Sequence, residues 1–263
     1  MSRRAFAERV GTTPALVFAF AAVPREAFLP PPPWLAGTTP FVYEPVDDVY
    51  QDAVFAIDPT RQLNNGVPSA HARWLAALGL VAGERVLHLG CGLGYYTAIV
   101  AELVGATGQV LALDVDADLA ARASANLAAW TQASARHGDG GAIDTTFDAL
   151  YVNAGATHVP RSWQHALRPG GRIMMPLTSV SPHAPDNGLG TMLRIDRGTS
   201  SRWPITAIGP AGFYHCANAR DLSLDEAIRQ LHAQRLDGLV LETAAHPRTN
   251  ACLVHHVDGC LQR

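Results

Sequence analysis

The sequence predicts a doubly wound, mainly parallel α/β sheet, on three observations. From residue 85 onward, short apolar strand-like runs alternate with helix-like stretches, the rhythm of strand–crossover–strand units. Between the first run and the first helix stands LHLGCGLGYYTA (87–98), where Gly90, Gly92 and Gly94 fall at every second position. Such a turn lets a ligand approach the backbone closely, beyond the carboxyl end of a strand. The chain has 263 residues, 48% of them apolar, enough for one large domain or a domain with additions.

The elements follow in order. Residues 1–30 read as helical. LPPPPWLAG (29–37) reads as extended, because each Pro fixes φ and restricts the residue before it. Residues 38–68, rich in Pro, Asp and Asn, read as irregular, and Ala70–Leu80 as a helix ending near Gly83. Then come a strand over Arg85–Leu89, a helix over Tyr95–Val104 and a strand over Gln109–Asp114. A helix over Asp116–Trp130 follows, with Asp116 as its N-cap. A third strand is expected to end at HGDGG (137–141). Phe147–Asn153 reads as a strand, Pro160–Leu167 as a helix and Arg172–Leu177 as a strand. Past a polar loop (178–188), 190–196 and 204–215 are strand-like, and Ser223 caps a helix running to Arg235. Apolar runs at Leu239–Leu241 and Cys252–Val257 finish the chain. The organisation expected is an N-terminal helical cap with a substrate-side loop (1–72), a ligand-binding core (73–177), and a C-terminal strand and helix extension completing the sheet (178–263).

Composition removes several chemistries. All 20 basic residues are Arg. Without Lys there is no Walker P-loop, no pyridoxal-phosphate Schiff base and no Lys nucleophile. A formal net charge of −3 and the lack of a basic run argue against a nucleic-acid partner. The apolar stretch Ala15–Val23, bracketed by Pro14 and Pro24, is too short to span a membrane. It lacks a small-x-small cleavage site and is followed by Arg25 and Glu26, so a packed helix of a cytoplasmic protein is expected. Cys91, Cys216, Cys252 and Cys260 are scattered, unlike a disulfide framework. CLVHHVDGC (252–260) carries metal-ligand residue types, but its spacing fits no common zinc pattern; it reads as a strand and a turn, and no metal is expected.

The glycine loop narrows the ligand. A dinucleotide fingerprint is G-x-G-x-x-G; here the third Gly comes one residue early and Tyr95 stands where that Gly is needed. The spacing G-x-G-x-G resembles motif I of the S-adenosylmethionine (SAM)-dependent methyltransferases. SAM has no pyrophosphate to seat on a helix N-terminus, so the loop need only pass close under the amino-acid moiety and ribose. Asp114 ends the second strand, 20 residues after Gly94, where a carboxylate accepts hydrogen bonds from ribose hydroxyls. Its other reading is a helix cap, since Asp116 and Asp118 crowd the same turn. In methyltransferases an acid at the end of the third strand meets the adenine amino group, and Asp139 fits that place; its other reading is a Gly–Asp turn.

Taken together, these pieces resemble the protein-L-isoaspartate O-methyltransferase family over roughly residues 20–177. The likeness rests on AVPREAFLP (22–30), VLHLGCGLGYYTAIVAEL (86–103), GQVLALD, HGDG, FDALYVNAGATHVP and LRPGGRIMMPL, in that order. It implies a Rossmann-like methyltransferase sheet, SAM as cofactor and a protein or peptide carboxylate as methyl acceptor. It assigns the cofactor His71, His88, Gly90, Cys91, Gly92, Gly94, Asp114, Val115, Asp139, Gly140 and Asn153. Two departures stand out. The family has an acid two residues before the first glycine, where this chain has His88. The family also has an active-site Ser in a Thr-Ile-Ser-x-Pro-like segment, and in NNGVPSAHA (64–72) Gly66 takes that place. Asn65 and Ser69 are the polar substitutes, and Arg61 is the candidate fork for the substrate carboxylate. Tyr95 and Tyr96 read as cleft or core, and His158 as a solvated loop residue. Competing readings are an NAD-dependent oxidoreductase, an RNA methyltransferase and a non-catalytic SAM-binding module.

Overall fold

The computed structural model describes residues 1–36, 42–43 and 49–263. Of the stretches expected to be extended or irregular, residues 37–41 and 44–48 lie outside the described ones. The chain divides into two compact units, Met1–Glu84 with Cys91–His137, and Arg85–Gly90 with Gly138–Arg263.

The first unit begins with α1 (Arg3–Val10) and α2 (Pro14–Ala22). Ser2 Oγ accepts from Ala5 N and Thr13 Oγ1 from Leu16 N, and Pro14 opens the second helix where a missing N–H costs nothing. A 3₁₀ turn, Arg25–Phe28, follows. β1 (Trp34–Leu35) pairs antiparallel with β2 (Val42–Tyr43), and β3 (Ala56–Asp58) with β4 (Leu63–Asn64). α3 spans Pro68–Leu78. It starts two residues before the expected Ala70 and stops at Gly79, whose φ of +64° ends the helix before Gly83 is reached. β5 (Arg85–Leu89) belongs to the second unit. α4 (Tyr95–Val104), β6 (Gln109–Asp114), α5 (Ala117–Asn126) and β7 (Ala133–His137) complete the first, with β6 and β7 parallel. Asp116 caps α5 as expected, accepting from Asp118 N and Leu119 N. The helix stops short of Trp130 because the chain turns there: Asn126 Nδ2 donates to Leu93 O, and Trp130 Nε1 to Glu102. Phe6, Phe20, Tyr50, Phe28, Tyr95 and Trp130 pack in tilted and edge-to-face pairs as this unit's aromatic core.

In the second unit β5, β8 (Phe147–Val152) and β9 (Leu167–Val180) run parallel. β10 (Asn187–Asp196), β11 (Arg202–Tyr214), β12 (Val240–Glu242), β13 (Cys252–His256) and β14 (Gly259–Gln262) extend this sheet antiparallel, in the order β13-β14-β12-β11-β10-β9-β8-β5. α6 (Arg161–Ala166) and α7 (Asp225–His232) pack on β9. Three expectations are corrected. β9 begins at Leu167, not Arg172, because the Pro-Gly-Gly segment forms a bulge held by Arg197: Gly170 N donates to Arg197 O, and Arg197 N to Gly171 O. Ser223 does not cap a helix; Asp221 caps a 3₁₀ turn by accepting from Ser223, and α7 begins at Asp225. The final apolar run is a strand and turn followed by a second strand, β14, so it forms a hairpin. No helix among the described residues is long and apolar enough to cross a membrane.

Candidate cofactor and substrate site

In the first unit the glycine loop is drawn onto the end of β6. Cys91 N donates to Leu113 O, and Gly92 N donates to Asp114 Oδ2 at 2.8 Å. Asp114 Oδ1 accepts from Asp116 N at 3.0 Å. The carboxylate is 6% exposed; burial raises its pKa, and the two backbone donors oppose that rise. A carboxylate has about four acceptor sites, and two are used here, so capacity remains for two hydroxyl donors. Gly92 has φ +55° and a Cβ there would meet only Ile57 Cδ1, at 3.6 Å, so its backbone face is open to a ligand. Gly94, at φ +91°, turns the chain into α4. Val115 is 56% exposed, an apolar side chain beside the Asp114 carboxylate in sequence. Cys91 is buried, and burial pushes its thiol pKa up, so it stays neutral.

The Asn64–Ser69 segment is built around an arginine that sequence reasoning passed over. Arg25 is fully buried, donating to the carbonyls of Val49, Gln51 and Ala53 and, at 3.3 Å, to Asn65 Oδ1. Asn65 Oδ1 also accepts from Phe55 N at 2.8 Å, while its Nδ2 is buried without a hydrogen-bond partner. Gly66 has φ +72°, and a Cβ there would lie 2.4 Å from His71 Nε2. His71 cannot easily yield, because its ring is stacked on Tyr96 at 3.5 Å and the Tyr96 hydroxyl donates to Gly66 O. Ser69 N donates to Asp52 at 2.8 Å, so a loop carboxylate satisfies a donor in the first turn of α3. Arg61 is committed: Nε pairs with Asp58 at 2.6 Å and Nη1 with Asp116. The Thr60 hydroxyl and then the Arg61 guanidinium, both donating to it, hold Asp58 well below the usual carboxylate range, and Asp116 and Asp58 raise the Arg61 pKa. Tyr95 and Tyr96 are core residues.

In the second unit His88 is fully buried and burial pushes its imidazole down to about 3, so it is neutral at pH 7. Asn153 Nδ2 lies 2.8 Å from His88 Nε2 and donates to it, which leaves Asn153 Oδ1 buried without a partner. That orphaned acceptor suits an ammonium donor. Gly90, at φ +73°, passes so close to Asn153 that a Cβ would sit 2.9 Å from its carbonyl. Asp139 Oδ1 accepts from Gly141 N at 2.8 Å, closing a turn, and Gly140 O receives Trp163 Nε1 and Ser162 Oγ. His158 is not solvated as expected: its ring stacks on His256 at 3.7 Å and burial lowers its pKa to about 4.

The family model for protein-L-isoaspartate(D-aspartate) O-methyltransferase (PCMT) matches residues 3–185. The chain belongs to the PCMT family. The protein-L-isoaspartate O-methyltransferase of Methylorubrum extorquens is 34% identical over 203 residues, 76% of this chain and 78% of that protein. That of Methanothrix thermoacetophila is 32% identical over 171 residues, 63% of this chain and 75% of that protein. A solved protein-L-isoaspartate O-methyltransferase superposes with TM-score 0.68 at 18% identity, covering 98% of this chain and 86% of the other. A Plasmodium falciparum structure of the same designation, in complex with S-adenosyl-L-homocysteine, superposes with TM-score 0.63 at 16% identity, covering 82% of this chain and 98% of the other. These likenesses bear out the Rossmann-like methyltransferase fold. As a PCMT-family chain it is a SAM-dependent methyltransferase, and the oxidoreductase reading falls away.

Proposed function

We propose that the chain transfers the methyl group of SAM to a carboxylate of a peptide or protein, at an aspartyl, isoaspartyl or C-terminal position. The observation that carries this reading is the Gly92–Asp114 pair: an open glycine backbone tied to a desolvated carboxylate with acceptor capacity to spare. SAM supplies an activated methyl group. In the first unit Asp114 has the acceptor capacity for ribose hydroxyls; in the second unit Asn153 Oδ1, on an amide that neutral His88 fixes, suits an amino group. Val115 packs on the ligand's apolar face, and Gly90, Cys91, Gly94, Asp139, Gly140 and His71 complete the assigned contacts.

An ionised carboxylate is already a nucleophile, so no side chain has to take a proton from it. The residues instead hold the acceptor in line, an effect worth ~7–11 kcal/mol when the geometry is near attack. Asn65 and Ser69 supply polar groups beside Gly66. Arg61 acts by positioning, bracing the β3–β4 hairpin against the N-terminus of α5 through Asp58 and Asp116. Gly66, whose φ of +72° and contact with His71 leave no room for a side chain, stands where the resemblance expects a serine. An acidic chain without lysine supports a protein rather than a nucleic-acid partner, and four cysteines outside any disulfide suit the cytoplasm. The test is transfer from methyl-tritiated SAM to a library of Asp-containing peptides. Incorporated label confirms turnover; SAM binding with no incorporation into any peptide or protein leaves the non-catalytic module.

A further inference from the structure

At the far edge of the second unit's sheet, a loop and a hairpin gather four soft donors. His246 lies in the loop after β12, Cys252 and His255 on β13, and Cys260 on β14. Each offers one ligand atom, and these atoms all lie within 4.8 Å of one another. The strand register explains how. His255 stands directly opposite Cys260. Cys252 is three residues before His255 and in a regular strand would face the other side of the sheet. One extra residue in β13, between Cys252 and Val254, brings it back into phase.

The donor atoms are also prepared for a cation. His246 Nδ1 donates to Pro247 O at 2.8 Å, which leaves the lone pair on Nε2, buried and without a hydrogen-bond partner. This is the arrangement by which a backbone carbonyl fixes the tautomer of a ligating imidazole. His255 Nδ1 is likewise buried and without a partner. Cys252 Sγ receives Thr249 N at 3.3 Å, a donor that favours a thiolate, and lies 3.6 Å from Thr249 Oγ1. Neither cysteine is in a disulfide. Two buried imidazole nitrogens without partners, beside two thiols, are costly unless something satisfies them together.

We propose that His246, Cys252, His255 and Cys260 bind one zinc ion in a closed site that fastens the C-terminal hairpin to the loop after β12. Two thiolates and two imidazoles are a tetrahedral, zinc-selecting set, and two thiolates cancel the charge of the ion. Bond lengths of about 2.3 Å to sulfur and about 2.0–2.1 Å to nitrogen put such donors roughly 3.3–3.8 Å apart, so a small closing movement completes the shell. With all four positions filled by protein there is no place for a reactive water, and the ion's role is structural. The stretch CLVHHVDGC did not disclose this because it omits His246 and gives no sign of the bulge. The stretch's other histidine, His256, stacks on His158 instead.

The experiment uses untagged full-length protein, passed through metal-free buffer with a weak chelator. Elemental analysis is expected to find one zinc per chain. Exchange with Co(II) is expected to give the intense visible bands of tetrahedral cobalt with a sulfur-to-metal charge-transfer band. His246→Ala, a loop change that leaves the hairpin's pairing in place, should weaken metal binding roughly tenfold or more. His256→Ala should keep one zinc. Wild-type protein with no zinc and a weak octahedral cobalt spectrum would overturn the proposal. So would a Cys252–Cys260 disulfide in protein purified without reductant, or equal loss of zinc from both histidine variants.

Discussion

Asp114 ties down the glycine loop and, in the proposed function, accepts from the ribose, and the two duties give separable expectations. Asp114→Ala should weaken SAM binding by roughly 1.5–3 kcal/mol, the range for hydrogen bonds to a charged group, measured by isothermal titration. An unchanged dissociation constant in a folded variant would move the ribose to another acid. Because burial raises the Asp114 pKa, the ionised form predominates only above that raised value. SAM affinity should therefore fall as pH drops through it, and the dependence should vanish in Asp114→Ala. Gly66 is a second residue-scale case. A Ser there takes a left-handed φ and its Cβ meets a histidine ring pinned by Tyr96. Gly66→Ser should cost about 1–3 kcal/mol of stability by denaturant titration and should not raise kcat/KM for isoaspartyl peptides. A stable Gly66→Ser with higher kcat/KM for isoaspartyl peptides would show that this position accepts a serine side chain in a working site.

At the scale of elements, α3 illustrates what a sequence displays and what it conceals. Its Pro68 start and Gly79 stop have local signatures, but its N-terminal partner does not. Val67 at the N-cap offers no side-chain acceptor, and Ser69 N donates instead to Asp52, 17 residues before Ser69. Asp52→Ala should cost about 0.5–2 kcal/mol in thermal or chemical unfolding. It should also lower kcat/KM for peptide while leaving SAM affinity unchanged, because it loosens the Asn64–Ser69 segment. Equal losses in both would mean that the segment also serves the cofactor. The strands and helices from Arg85 to Asp114 were legible to the residue, since apolar runs and glycines mark their ends. The bulged start of β9, the β13–β14 hairpin and the Arg25 hub were not. Arg25 bonds mainly to backbone carbonyls 24 to 28 residues away, and a carbonyl carries no residue identity to read. Arg61 was found as a cation near the segment, but its two carboxylate partners are apparent only once the chain has folded.

For the whole molecule, the buried neutral His88 makes stability depend on pH. Its folded pKa, about 3, lies below the ordinary 6.5. Between those values the unfolded chain binds a proton that the folded chain refuses. Stability is therefore full above about pH 6.5 and is lost as pH falls toward 3, by up to ~1.4 kcal/mol per pH unit from this one group. Urea titrations at pH 7, 5 and 4 should show a shallower loss in His88→Asn than in the original chain; equal slopes would place the titrating group elsewhere.

Carboxyl methylation by this PCMT-family chain leaves a product whose chemistry sets it apart from every other methyl transfer. A methyl ester hydrolyses in mild base and releases methanol, whereas methyl groups on nitrogen or in ethers do not. Peptide or protein labelled by this chain from methyl-tritiated SAM should release its tritium as methanol in mild alkali. Label that stays on the acceptor under those conditions would contradict carboxyl transfer.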